Sequence, residues 1–236
     1  MKSNMFRWLA APAVAAAAVL APQAAGLASA APDTVTAAGV TSCPDVEVVF
    51  ARGTFEAPGV GATGQAFVDA LTAQLPGKNV AVYAVNYPAS LDFQAAADGI
   101  ADASSKVESI AATCPSTRIV LGGYSQGAAV AAYTTADAVP AGFALPANIT
   151  GPMSPAIANH VAAVVLFGTP DSWFLNLADS SAPPITIGQA YAAKTDQLCA
   201  VGDPICFPGG LDRSAHSSYK NNGMADQAAT FAANAG

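Results

Sequence analysis

Residues 122–128 read Gly-Gly-Tyr-Ser-Gln-Gly-Ala, which sets Ser125 between glycines at G-x-S-x-G spacing. A serine hydroxyl is a weak nucleophile. It becomes a strong one when a base takes its proton and backbone N–H groups receive the charge that develops. The motif follows the apolar run 118–121 and precedes an alanine-dense stretch. A sharp strand-to-helix turn needs small flanking residues, and the helix behind it points free N–H groups at the serine. A turn that only reversed the chain would not need this spacing.

Only two histidines can serve as the base, His160 and His216. His160 directly precedes the apolar run 161–167, which puts it at the N-terminal end of a strand. Ligands of open parallel sheets gather at the C-terminal ends, where Ser125 lies. His216, in the loop-like "LDRSAHSSYKNN", can swing over that edge and is the expected base. Four aspartates compete for the acid that orients it: Asp171, Asp196, Asp203 and Asp212. Asp203 is preferred because it sits in "CAVGDPIC", where a disulfide would close a small ring and hold a carboxylate against an imidazole. Asp171, beyond the fourth apolar run, is the alternative.

The elements that must position these groups are legible as alternating runs. Residues 46–53, 79–88, 118–125 and 161–170 are rich in β-branched or aromatic residues and carry Gly or Pro at or near their ends, as buried parallel strands do. A fifth, weaker strand is expected within 185–195. Between them, 61–75 places Phe67, Leu71 and Leu75 on one helical face, and 90–113 carries Phe93, Ile100, Val107 and Ile110 as its stripe. A buried helix follows Ser125, and Met224, Ala228 and Phe231 mark a last one. Strands alternating with helices imply βαβ units, hence a parallel sheet covered on both faces. Residues 142–155 read as a surface loop, in which Asn148-Ile149-Thr150 matches a glycosylation sequon.

The 236 residues suit one domain. Residues 1–30 have Lys2 and Arg7, a short apolar core and Ala28-Ser29-Ala30, the layout of a cleaved secretory signal. Pro12 and Pro22 interrupt the run, which argues against a membrane anchor. Without Lys2 and Arg7 the chain keeps 7 basic against 16 acidic residues, a net charge of −9 that excludes nucleic acid as the main partner. The four cysteines, Cys43, Cys114, Cys199 and Cys206, lack the CxxC spacing of a metal site, and the chain has only two histidines. Disulfides are therefore expected, with three pairings open in principle. Cys43 and Cys114 each precede an apolar run and can meet at one sheet edge, and Cys199 and Cys206 would staple a small loop.

Ser…Asp…His in this chain order on a parallel sheet is the α/β-hydrolase arrangement. Four blocks, "CPDVEVVFARGTFEAPGVG" (43–61), "GGYSQGA" (122–128), "CAVGDPIC" (199–206) and "AHSSY" (215–219), occur in the order of the cutinase family. The chain resembles that family, in particular its actinobacterial cutinase-like esterases, from about Cys43 to the C-terminus. The resemblance implies a three-layer α/β-hydrolase with a central, mostly parallel five-stranded sheet and no large lid. The division is then a signal over 1–30, a short segment over 31–42 and the domain over 43–236. It further implies the triad Ser125, Asp203 and His216 and the pairings Cys43–Cys114 and Cys199–Cys206.

The residue after a nucleophile supplies one oxyanion N–H, here Gln126, and the resemblance places a second donor at Thr54. Phe55 follows Thr54 where many members carry a small residue, which bears on how open the groove is. Leu91, Phe93, Phe207 and Leu211 are expected to rim the serine, with Trp173, Phe174 and Leu175 beyond a strand end. Such apolar rims suit acyl chains or lipid surfaces. The expected function is a secreted serine esterase, free or retained at the cell wall, acting on short- to medium-chain, lipid or polyester esters. An acetylxylan esterase, phospholipase or lipase is the nearest alternative, and a catalytically silent surface-binding protein the more distant one. The expected partners are an ester substrate (lipid, polyester or acylated polymer) and a lipid surface, with the protein a monomer that needs neither cofactor nor metal.

Overall fold

The computed structural model describes residues 42–139, 145–146 and 149–235. The expected leader and Asn148 of the sequon lie outside these residues. Five strands, β1 (Val46–Ala51), β2 (Val80–Ala84), β3 (Arg118–Tyr124), β4 (Val161–Phe167) and β5 (Thr195–Leu198), form one sheet in the order β2-β1-β3-β4-β5. Every neighbouring pair is parallel. The helices are α1 (Gly61–Gln74), α2 (Ala96–Thr113), α3 (Gln126–Thr134), α4 (Ser172–Ala178), α5 (Gln189–Ala192), α6 (Arg213–His216) and α7 (Met224–Asn234).

The central strands β1, β3 and β4 are apolar without alternation because both faces of the sheet are covered. One core layer joins Val49, Leu121 and Val164 to α2 and α3. The other joins Val48, Phe50 and Phe167 to α1 and α7. Alanines crowd α3 because it runs directly over the sheet. All but one of its nine residues are buried, so a larger side chain would have no space.

The fifth strand is displaced from its expected place. The segment 185–188 forms no strand, 189–192 is helical, and the strand starts only at Thr195. Gly188 docks so closely on the end of α3 that a Cβ there would meet Thr135 O at 2.0 Å, and Gln189 N donates to Asp137 Oδ2 at 2.8 Å. The apolar run is thus used against α3. The polar "TDQL" pairs with β4 instead, since an edge strand needs no continuous apolar face.

Two disulfides close the described domain, Cys43–Cys114 and Cys199–Cys206. The first ties the start of β1 to the start of β3. In the chain-entropy account, its 71-residue separation stabilises the fold by about 4 kcal/mol.

Candidate active site

Ser125 sits at the C-terminal end of the sheet, between β3 and α3, with φ 56° and ψ −120°. A non-glycine residue in this region is strained, and the surroundings must enforce it. Ser125 N–H donates to Phe167 O at 2.8 Å, while Ser125 O receives Ala128 N–H at 2.9 Å. The flanking glycines answer to contact. A Cβ on Gly123 would meet Gly127 O at 2.0 Å, and one on Gly127 would meet Ala51 O at 2.0 Å. Gln126, the first residue of α3, has a backbone N–H with no partner inside its own helix.

His216 ends the short α6 and turns its ring to the serine, with Nε2 2.9 Å from Ser125 Oγ. On its other side Nδ1 lies 2.8 Å from Asp203 Oδ2. An ionised carboxylate only accepts, so Nδ1 carries the hydrogen and Nε2 is free to accept from the serine. Asp203 is 0% exposed. Burial pushes its carboxyl up, but hydrogen bonds from His216, Tyr219 and Ile205 N–H outweigh that and hold it below the ordinary carboxylate value.

The other aspartates are committed elsewhere. Asp171 Oδ1 accepts Phe174 N–H at 2.7 Å and caps α4. Asp212 Oδ1 accepts Ser214 N–H at 2.8 Å and caps α6. Asp196, on β5, is pushed up by burial, opposed by a hydrogen bond with Gln227. His160 ends a 3-10 turn that leads into β4, at the opposite end of the strands from Ser125, with Nδ1 3.3 Å from Pro115 O.

Ser125 and His216 open on a cavity of about 320 Å³ that Thr54 and Gln126 also line. Its wall is mainly apolar, with Phe93 and Ile100 on one side and Phe174 and Leu175 on the other. Of the expected rim residues, Leu91 and Phe93 line this cavity, whereas Phe207 and Leu211 lie outside its lining. The 207–211 segment folds back on the loop holding the acid, through Phe207 N to Asp203 O and Asp212 N to Gly202 O, both 2.9 Å, and leaves Leu211 90% exposed. Trp173 takes the outer face of α4 at 65% exposure, while Phe174 and Leu175 take the inner one. Phe55 is 75% exposed with φ 65°, so its ring stands at the lip of the groove and does not fill it.

Four supporting residues, Arg52, Tyr87, Tyr124 and Tyr219, escaped the sequence reading. Buried Arg52 donates through its guanidinium to Glu56 O and Tyr87 O at 2.8 and 2.7 Å, and the Tyr87 hydroxyl donates back to Arg52 O. This bracket holds the Thr54 segment against residues 85–90. Tyr124 lies against His216 with ring centroids 5.0 Å apart and planes tilted by 31°, and donates to His216 O at 2.6 Å. Tyr219 donates to Asp203 Oδ2 at 2.5 Å. Tyr124 and Tyr219 lie inside the "GGYSQGA" and "AHSSY" blocks, the signal that could have drawn attention to them.

The family profile described as Cutinase matches residues 42–235. The carboxylesterase Culp1 of Mycobacterium tuberculosis is 50% identical over 199 residues, 84% of either chain. The phospholipase Culp4 of the same species is 48% identical over 191 residues, 81% of this chain and 78% of Culp4. Among solved structures, the Trichoderma reesei cutinase in complex with a phosphonate inhibitor superposes with a TM-score of 0.58 at 32% identity, covering 80% of this chain and 75% of that one. With the family profile spanning the whole described domain and the sheet order in place around Ser125, this chain belongs to the cutinase family.

Proposed function

We propose that Ser125, His216 and Asp203 are the triad of this carboxylesterase, with Gln126 N–H and Thr54 forming its oxyanion hole. The observation that carries the reading is the unbroken line of hydrogen bonds Asp203–His216–Ser125 at the mouth of an apolar cavity. His216 Nε2 takes the hydroxyl proton as Ser125 Oγ attacks the ester carbonyl. The oxyanion is received by the free N–H of Gln126 and by Thr54. Collapse of the tetrahedral intermediate returns the proton to the leaving alcohol. Water, activated by the same imidazole, then releases the acid from the acyl-enzyme.

The apolar wall favours an acyl chain over an acetylated sugar, because a sugar ring brings hydroxyls that Phe93, Ile100, Phe174 and Leu175 cannot satisfy. A series of p-nitrophenyl esters tests this. Efficiency is expected to rise from acetate to medium chains, and a profile that peaks at acetate would favour the acetyl-esterase reading. An organophosphonate should label Ser125 stoichiometrically, and Ser125→Ala should abolish both labelling and turnover. Unchanged turnover in that variant would sink the mechanism.

The two disulfides support an oxidising location outside the cell. Cleavage after Ala30 then predicts Ala31 as the first residue of the exported protein, readable by N-terminal sequencing. An N-terminus at Met1 would rule that out.

A further inference from the structure

Tyr219 is 0% exposed, yet it buries a hydroxyl where phenylalanine would fill the same space. Burial of a hydroxyl is costly unless its hydrogen-bonding capacity is used. Here both its acceptor and its donor capacity are used. Ala200 N–H donates to the phenolic oxygen at 3.0 Å, which leaves the phenolic hydrogen to point at Asp203 Oδ2, 2.5 Å away. That carboxylate oxygen is the one His216 Nδ1 meets at 2.8 Å, while Oδ1 receives Ile205 N–H at 2.8 Å.

On the reading of Ser125, His216 and Asp203 as the triad, we infer that Tyr219 is a positioning residue of the esterase. Its hydroxyl fixes the rotation of the Asp203 carboxylate and takes up part of the negative charge that faces the imidazole. Two carboxylate oxygens hold four lone-pair sites, so a buried Asp203 with fewer donors could rotate to seek others. The donors on Oδ1 and Oδ2 leave it one orientation, the one that presents Oδ2 to Nδ1.

The second consequence is electrostatic. A donor on Oδ2 makes the carboxylate a weaker acceptor for Nδ1–H, so Tyr219 tempers how strongly the carboxylate holds the imidazolium formed during the reaction. The ionisable groups around Tyr219 are few. Asp203 lies on the stapled loop, His216 on α6 and Tyr124 at the end of β3, its ring centroid 5.8 Å away. Glu56 acts on the Tyr124 hydroxyl from farther off. Cys206 Sγ, 3.3 Å from the Tyr219 hydroxyl, is bound in the disulfide and does not titrate. Phe167, packed edge-on against Tyr219, carries no charge.

The test is the pH profile of kcat/KM for Tyr219→Phe, alongside phosphonate labelling of Ser125. The variant is expected to lose about tenfold in kcat with KM little changed, as for loss of one charge-assisted hydrogen bond. Its acid limb should move up by about half a pH unit to one unit. A role limited to packing would lower stability without moving the limb. Site-specific 3,5-difluorotyrosine at 219, a stronger donor of the same shape, should move the limb down, and it keeps the question open to test if Tyr219→Phe does not fold. A limb that superposes on the parent's in every folded variant overturns the assignment of Tyr219 and leaves the triad standing. Full turnover in Ser125→Ala would remove the triad itself.

Discussion

At Ser125 a positive φ, two glycines without room for a Cβ and a free helix N–H are parts of one device. Gly127→Ala would drive a methyl into Ala51 O, and the backbone on both sides of the turn is held by the sheet. That variant should lose about 1–3 kcal/mol of stability in denaturant melts, along with most of its turnover. A parent-like melt would show that the turn can yield. The two histidines give a sharper contrast. His216→Ala removes the base and should abolish ester hydrolysis. His160→Ala, at the far end of the sheet, should keep activity within a few-fold. The reverse result would mean that the base is misassigned.

Short elements carry Asp203 and the cavity wall. The seven-residue separation of Cys199 and Cys206 gives a staple that stabilises by about 2 kcal/mol, and Asp203 stands inside it. Replacing both cysteines by serine should lower the melting temperature. Turnover of the folded fraction should fall by up to about a hundredfold, because the carboxylate is then free to miss the imidazole. Asp203→Asn should fold yet lose on the order of 10³–10⁴ in kcat, since the amide favours the wrong tautomer. Asp171 sits at the start of α4, and its carboxylate is occupied by Phe174 N–H. Asp171→Asn, which keeps an N-cap oxygen, should leave turnover within a few-fold of the parent. If Asp171→Asn is the crippled variant and Asp203→Asn is not, the acid belongs to the end of β4.

Across the whole molecule all six tyrosines have phenols raised above their ordinary value, chiefly by burial. For Tyr133 and Tyr191 the value is pushed up to about 12. A raised folded value means that the native state holds its proton more tightly than the unfolded chain. This contribution is therefore complete below about pH 10, the unfolded phenol value, and is lost as pH rises through the folded values. Apart from the more exposed Tyr83, phenolate absorbance should stay low at about pH 11, where free tyrosine is mostly ionised, and then appear together with the loss of circular dichroism. A gradual rise from about pH 10 with the fold intact would contradict the burial of these rings. At the acid end Asp203, held low, works in the opposite sense. Its contribution is present above the ordinary carboxylate value and is lost as pH falls through the folded one.

The nucleophile turn, the four principal strands, the long helices and the cysteines all announce themselves in the sequence. Each is a local pattern: spacing about a serine, a β-branched run, or an apolar face every third or fourth residue. The placement of His216, not His160, at the Ser125 end of the sheet was also legible, because the order of strand and histidine along the chain fixes the end of the sheet at which each must lie. Tertiary structure alone decided what depends on a distant partner. The apolar run 185–188 could have been a strand, but docking on α3 claimed it, and β4 took the polar "TDQL" at the open edge. Of the four aspartates the stapled "CAVGDPIC" ring already favoured Asp203, but only the packing engaged Asp171 and Asp212 with Phe174 and Ser214 N–H groups and set a fully buried Asp203 against His216. Phe207 and Leu211 looked like rim residues until the backbone bonds of their own loop turned them outward. A hydrophobic letter says that a side chain gains by burial, and a carboxylate letter says that it needs donors. Which neighbour meets that need is set by chain packing across separations of tens of residues, which no local spacing encodes.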